Sequence, residues 1–130
     1  QRFPHGIGIY SWGFKLTEGE HTLAYVPDVE YRRGIIHDEA IEFVRDVDLL
    51  IHDAYFTQQD YTPDWGHCRI KQAVMLAEVA GVDRLALFHH APHRSDDMID
   101  TLVAQHRDDL HRRGAPLRLD AAYEGMTIQL

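Results

Sequence analysis

Apolar and polar residues alternate from Ser11 to Leu16, where Trp12, Phe14 and Leu16 fall on one side, and Thr22 to Val26 reads Thr-Leu-Ala-Tyr-Val. A period of two marks β-strands with one face turned to a core. Thr17-Glu18-Gly19-Glu20 between them is a turn, so the pair reads as a hairpin. The second strand must stop at Pro27, which has no N–H to give a ladder. A short helix is expected over about His37 to Asp46, with Ile41, Phe43 and Val44 as its apolar members. Asp48 to His52 is a compact apolar strand, and Asp53 to Trp65, polar and aromatic with Pro63, is a loop. From His67 to Ala80 the apolar positions Ile70, Val74, Ala77 and Ala80 form one helical stripe, and Gly81 stops the helix. Arg84 to Phe88 is another buried strand. Ser95 caps a helix that carries Asp96 and Asp97 in its first turn and ends near Arg113-Gly114. Pro116 to Leu119 and Met126 to Leu130 read as short terminal strands. Strand and helix alternate, which predicts an α/β fold with a sheet covered on at least one face.

The strand ends carry the chemistry. Asp28 follows one strand, His52-Asp53 ends a second, His89-His90 ends a third, and His67 opens the helix after the second. In an open α/β sheet, ligands sit at the carboxyl ends of the strands. Strand ends need polar residues in any case, but four such positions dominated by His and Asp point to a site. His and Asp without a second Cys suit a divalent ion such as zinc or manganese. His5, Asp28 and His89 lie too far apart in sequence for a zinc finger and fit a centre assembled from strand ends. Tyr55, Tyr61 and Trp65 either wall a pocket or pack the long loop, and His93 and Arg94 either meet an anionic substrate or lie in a solvated loop.

Composition narrows the setting. The 130 residues amount to one domain or part of a larger one, and 45% apolar with 26% charged residues is the balance of a globular protein. Acidic residues outnumber basic ones 21 to 13, for a formal charge of -8. Such a surface repels phosphate backbones, so a small anionic substrate is expected and non-specific nucleic-acid binding is not, with a local basic site left open. The one cysteine, Cys68, excludes an internal disulfide and fits a reducing cytoplasm, the expected location. No apolar run reaches the roughly 20 residues that cross a bilayer, so no membrane partner is expected.

Several segments together resemble the metallo-β-lactamase superfamily, in its ribonuclease Z-like phosphodiesterase branch. Pro4-His5-Gly6, followed by Trp12-Gly13-Phe14, resembles the family's third motif. Tyr25-Val26-Pro27-Asp28-Val29-Glu30 resembles the strand that ends in the bridging Asp. Leu50-Ile51-His52-Asp53-Ala54-Tyr55-Phe56 resembles the branch's His-Glu-Ala-Thr-Phe stretch, and Gly66-His67-Cys68 its Gly-His-Ser-Thr helix start. Leu87-Phe88-His89-His90-Ala91-Pro92-His93-Arg94-Ser95-Asp96 resembles the last metal-binding motif, and Ala122-Tyr123-Glu124-Gly125-Met126 the final hairpin. The resemblance covers nearly the whole chain. It implies residues 1–130 as the C-terminal portion of a single αββα sandwich domain, with one mixed sheet and flanking helices.

The resemblance also implies roles. His5 binds one of two divalent ions, Asp28 bridges both, and His89 binds the second, with His90 as the competing candidate. Zinc is the expected metal, with manganese or iron as alternatives. His67 is a general acid and Asp53 holds it in position. Asp53 stands where the branch has Glu, one methylene longer. The His-x-His-x-Asp-His motif is absent and is expected upstream of Gln1. The implied activity is that of a metal-dependent hydrolase, with a phosphodiester as first choice. The alternative is an incomplete fragment, inactive alone, or a degenerate binding or regulatory module. Half a sandwich leaves an apolar sheet face bare, so a missing N-terminal half or a partner chain, in a homo-oligomer, is expected to cover it.

Overall fold

The register of five strands decides which side chains face which way. A computed structural model describes residues 1–130. Its strands are β1 (Arg2–Pro4), β2 (Tyr10–Trp12), β3 (Phe14–Glu18), β4 (His21–Val26), β5 (Leu49–Asp53), β6 (Arg84–Phe88) and β7 (Arg118–Ala121). The helices are α1 (Asp38–Phe43), α2 (Ile70–Val79) and α3 (Asp96–Arg112), with a 3₁₀ turn at Arg32–Gly34. The order in the main sheet is β3-β4-β5-β6-β7; β3 and β4 are antiparallel and every other pair is parallel. The fold is therefore α/β with a mixed sheet, as expected.

Across the parallel strands, Ala24, Leu50, Leu85 and Leu119 stand in one row, with Val26, His52 and Leu87 in the next row on the same face. All seven are buried, with Val74, Leu76 and Ala77 of α2 and Val103 and Leu110 of α3 in the same core. The opposite face carries Phe14, Leu16, Leu23, Tyr25, Ile51 and Phe88. Phe14 is 57% exposed and Leu16 64%. Each forgoes about 1–2 kcal/mol of burial, so the two faces of the sheet differ in what covers them.

Local chemistry explains most boundaries. Ser95 Oγ accepts the Met98 N–H and starts α3, and Asp96 and Asp97 lie in its first turn. Gly81 ends α2 with a left-handed φ of 71°.

Four expectations fail in detail. The strand from Ser11 to Leu16 is split at Gly13, where a β-carbon would lie 2.5 Å from the Phe3 ring. β2 turns away to pair with β1, which has no counterpart in the expectations, while β3 pairs with β4. The helix expected from His67 begins at Ile70, because residues 67–69 are tied to the end of β5. The helix expected over His37 to Asp46 spans only Asp38–Phe43. Met126 to Leu130 forms no strand.

Candidate metal centre

The three parallel strands β4, β5 and β6 end side by side, and their last residues converge. Asp28 follows β4, Asp53 closes β5, and His89 follows β6. His89 adopts a left-handed φ of 59°, uncommon for a residue with a β-carbon and a mark of a constrained turn. His67 reaches the same place because the chain doubles back. Phe56 and Arg69 form a parallel bridge, in which the Phe56 N–H donates to the Cys68 carbonyl (3.0 Å) and the Ile70 N–H to the Phe56 carbonyl (2.8 Å). That bridge holds Arg69 extended beside Phe56, just past β5, and delays the start of α2.

Potential ligand atoms of Asp28, Asp53, His67 and His89 all lie within 4.8 Å of one another. The two carboxylates have different work. Asp53 is fully buried. Its Oδ1 accepts the Tyr55 N–H (3.0 Å), and its Oδ2 accepts the Val29 N–H (3.1 Å), the Cys68 N–H (3.4 Å) and His67 Nδ1–H (2.9 Å). With four donors on two oxygens it is an anchor for the loops and for His67, with little capacity left for a cation. The aspartate at position 53 spans the gap to His67 without the extra methylene of a glutamate.

Asp28 is half-exposed and takes no such set of donors. His89 Nδ1 is buried without a hydrogen bond and lies 3.0 Å from Asp28 Oδ1. That nitrogen faces the carboxylate at ion-pair distance but out of hydrogen-bond geometry, so its lone pair is left for another partner. Two electron-pair donors facing each other at that spacing suit a shared cation. His5 adjoins the cluster, its ring centroid 5.1 Å from that of His67. Its Nδ1–H donates to the Gly66 carbonyl at 2.8 Å, which leaves Nε2 free as a metal donor. Gly66 must be glycine: its φ is 97°, and a β-carbon would lie 2.4 Å from His5 Nδ1. Asp28 and His89 therefore fit a divalent ion, while His5 lies outside the group of converging ligand atoms and adjoins it only through His67. His90 is outside the cluster, and its Nε2 is buried without a partner.

Electrostatics set the state of His67. Burial pushes its pKa down, but the hydrogen bond and charge of Asp53, with Asp28 and Glu30 behind, pull harder, and the net shift is upward. His52, beneath the site, goes the other way: burial outweighs the pull of Asp53 and its pKa is lowered. The neutral ring donates Nδ1–H to the Asp53 carbonyl (2.8 Å) and accepts the Tyr31 hydroxyl at Nε2 (2.9 Å).

Glu30 escaped the sequence reading, and Arg94 and Tyr55, named there, have partners it did not foresee. Buried Glu30 accepts the Tyr61 hydroxyl (2.8 Å) and the Asp64 N–H (2.7 Å), and so pins the loop before His67. Arg94 is neither solvated nor aimed at a substrate: its side chain is 2% exposed and donates to the Tyr55 carbonyl and the Asp60 carboxylate. Tyr55 stacks on His67. An aromatic residue beside the His52-Asp53 pair was the only available signal for that contact.

The beta-lactamase superfamily domain matches residues 5–90 of this sequence. The chain belongs to the beta-lactamase superfamily. Among its relatives, the ribonuclease Z of Sulfurisphaera tokodaii is 41% identical over 70 residues, 54% of this chain and 24% of that protein. The probable metallo-hydrolase YhfI of Bacillus subtilis is 35% identical over 90 residues, 68% of this chain and 33% of that protein. The crystal structure of YhfI, a metallo-beta-lactamase fold protein, superposes with a TM-score of 0.71 at 22% identity, over 96% of this chain and 46% of that one. The short form of human tRNase Z gives 0.67 at 21% identity, over 98% and 40%. This superfamily member thus spans about a quarter to a third of the length of the curated relatives it matches. The expectation that nucleic acid is not a partner is overturned by these relatives, which include ribonuclease Z. Net charge misled because it sums a whole surface. It reports neither a local site nor the remainder of a longer protein.

Proposed function

We propose that this chain contributes the acid-bearing part of a metal-dependent phosphodiesterase whose substrate is a nucleic-acid phosphodiester. The carrying observation is the His67 Nδ1–H···Asp53 bond at 2.9 Å beside the Asp28–His89 pair. A carboxylate on Nδ1 holds the ring in one tautomer and raises the affinity of the other nitrogen for a proton. His67 Nε2 then serves as the general acid that protonates the departing alkoxide. The relatives named ribonuclease Z support a nucleic-acid substrate.

His5, Asp28 and His89 are the residues that would hold metal, with Asp28 shared between two ions. When bound, divalent ions, zinc first among them, lower the pKa of water toward about 7 and stabilise charge on the reacting oxygens. Asp53 takes no part in holding them, since both its oxygens are occupied by N–H donors. Three ligands are few for two ions, so the remaining ones are assigned to an upstream segment bearing the His-x-His-x-Asp-His motif. The 130 residues by themselves are expected to turn over nothing.

The test combines metal content with a comparison of leaving groups in the complete protein. His5→Ala and Asp28→Ala are expected to lose bound metal, and His67→Ala to keep it. His67→Ala should slow a dinucleoside phosphate by about 10²–10⁴-fold and leave a nitrophenyl phosphodiester nearly untouched. Equal loss on both substrates refutes the acid role, and full metal content in Asp28→Ala refutes the metal site.

A further inference from the structure

We propose that Tyr55 is a positioning residue for His67, fixing the plane of the imidazole so that Nε2 points at the leaving oxygen. This rests on the general-acid reading of His67. The Tyr55 and His67 rings lie 4.7 Å apart, centroid to centroid, and only 18° from parallel. The same tyrosine meets His89 edge-on, at 5.6 Å and 74°. One aromatic ring thus packs against both the proposed acid and a proposed metal ligand.

The need for such a contact follows from the hydrogen bond itself. The bond from Nδ1 to Asp53 fixes one atom of the imidazole. It leaves the ring free to tilt about that point, and a tilt moves Nε2, on the far side of the ring, by the largest amount. Stacking on a flat face removes that freedom, and offset ring pairs at this separation are favourable. The His89 ring presses edge-on against His67 from another direction, 4.6 Å away at 84°. Misplacement of a reacting group by about 1 Å costs up to about 10²-fold in rate.

Tyr55 is itself held. Its N–H donates to Asp53 Oδ1 at 3.0 Å, and its carbonyl accepts from the buried Arg94 guanidinium. Asp53 therefore anchors both the ring it orients and the backbone of the residue stacked on that ring. Phe56 abuts the Tyr55 ring at 4.8 Å and 68°. The backbone is fixed on both sides, and the ring is fixed by its neighbours. The stacking uses the ring and not the hydroxyl, so phenylalanine should substitute for tyrosine.

The experiment compares Tyr55→Phe, Tyr55→Leu and His67→Ala in the complete, metal-loaded protein, on a dinucleoside phosphate and on bis(p-nitrophenyl) phosphate. Tyr55→Leu is expected to lower kcat on the dinucleoside phosphate about 10-fold more than it lowers nitrophenyl turnover, with KM unchanged. Tyr55→Phe should match the unmodified protein. Selective loss in His67→Ala with none in Tyr55→Leu overturns the positioning role alone. Unselective loss in His67→Ala overturns the general-acid reading and this proposal with it. Loss in Tyr55→Phe equal to that in Tyr55→Leu assigns the effect to the hydroxyl and also overturns it. Proton NMR of the metal-free protein gives a readout that survives a misfolded variant. The carbon-bound protons of His67 should be shifted upfield by the tyrosine ring in the unmodified protein, and ordinary shifts there refute the stacking.

Discussion

Replacing Asp53 by asparagine removes one charge and almost no volume, so its consequences can be worked out atom by atom. The carboxylate is fully buried and accepts four N–H donors. A carboxamide can keep its oxygen toward Val29, His67 and Cys68, the three donors that share Oδ2. Its NH2 group then faces the Tyr55 N–H, donor against donor, and two buried polar groups lose their partner. Each unsatisfied buried group costs about 1–3 kcal/mol. The three surviving bonds weaken because their acceptor is no longer charged. Relief from burying a charge offsets part of this. The net expectation is a loss of about 2–3 kcal/mol, a large share of the 5–15 kcal/mol typical of a folded domain. Flipping the amide does not help, since NH2 would then face three donors instead of one. Urea denaturation of the metal-free protein measures the loss directly, and Asp53→Asn should also lower turnover of the dinucleoside phosphate toward the level of His67→Ala. A change below about 0.5 kcal/mol, within the range of ordinary surface substitutions, would show that the four contacts do not anchor these loops.

Two further outcomes follow from the same geometry. Gly66→Ala should weaken metal binding by at least about 10-fold, because its β-carbon collides with His5 Nδ1 at 2.4 Å where φ is already left-handed; unchanged affinity in a chelator competition would argue against His5 as a ligand. Below pH about 6.5 the unfolded chain protonates His52, His90 and His106, whose folded pKa values burial holds down, whereas the folded chain resists. Stability present above that pH is therefore lost as the pH falls, while the raised pKa of His67 opposes the trend. The melting temperature of the metal-free protein should fall between pH 7 and 5, less steeply in His52→Gln, and an equal slope in both would clear His52 of the effect.

Much of this site was legible because strand ends leave a plain signature. Apolar runs that stop at Asp28, at His52-Asp53 and at His89 declare both the strands and the edge where they finish, and the parallel register then aligns those ends without further information. What was not legible depends on contacts between distant segments. Nothing near Gly13 announces that the Phe3 ring will lie against it and break the strand expected to continue to Leu16. The late start of α2 depends on the bridge from Arg69 to Phe56, since the helical stripe by itself allows a start at His67. Arg94 and Glu30 read as ordinary charged residues in sequence, and their burial comes from the loops they tie. The charge count failed for the opposite reason: it averages over residues far from the site.

The Arg94 contacts have a mechanical consequence. The loop after β6 carries His89, and the loop after β5 leads through Tyr55 and Asp60 to His67. Arg94 belongs to the first loop and grips the second at two points, the Tyr55 carbonyl and the Asp60 carboxylate. Glu30, from the loop after β4, holds the second loop from its other side. His67, Asp28 and His89 therefore sit on loops tied to one another in a single platform. Such a platform does not open like a pair of jaws. Under the proposed function, exchange of substrate and product would therefore depend on the open side of the sheet edge and not on separation of these loops.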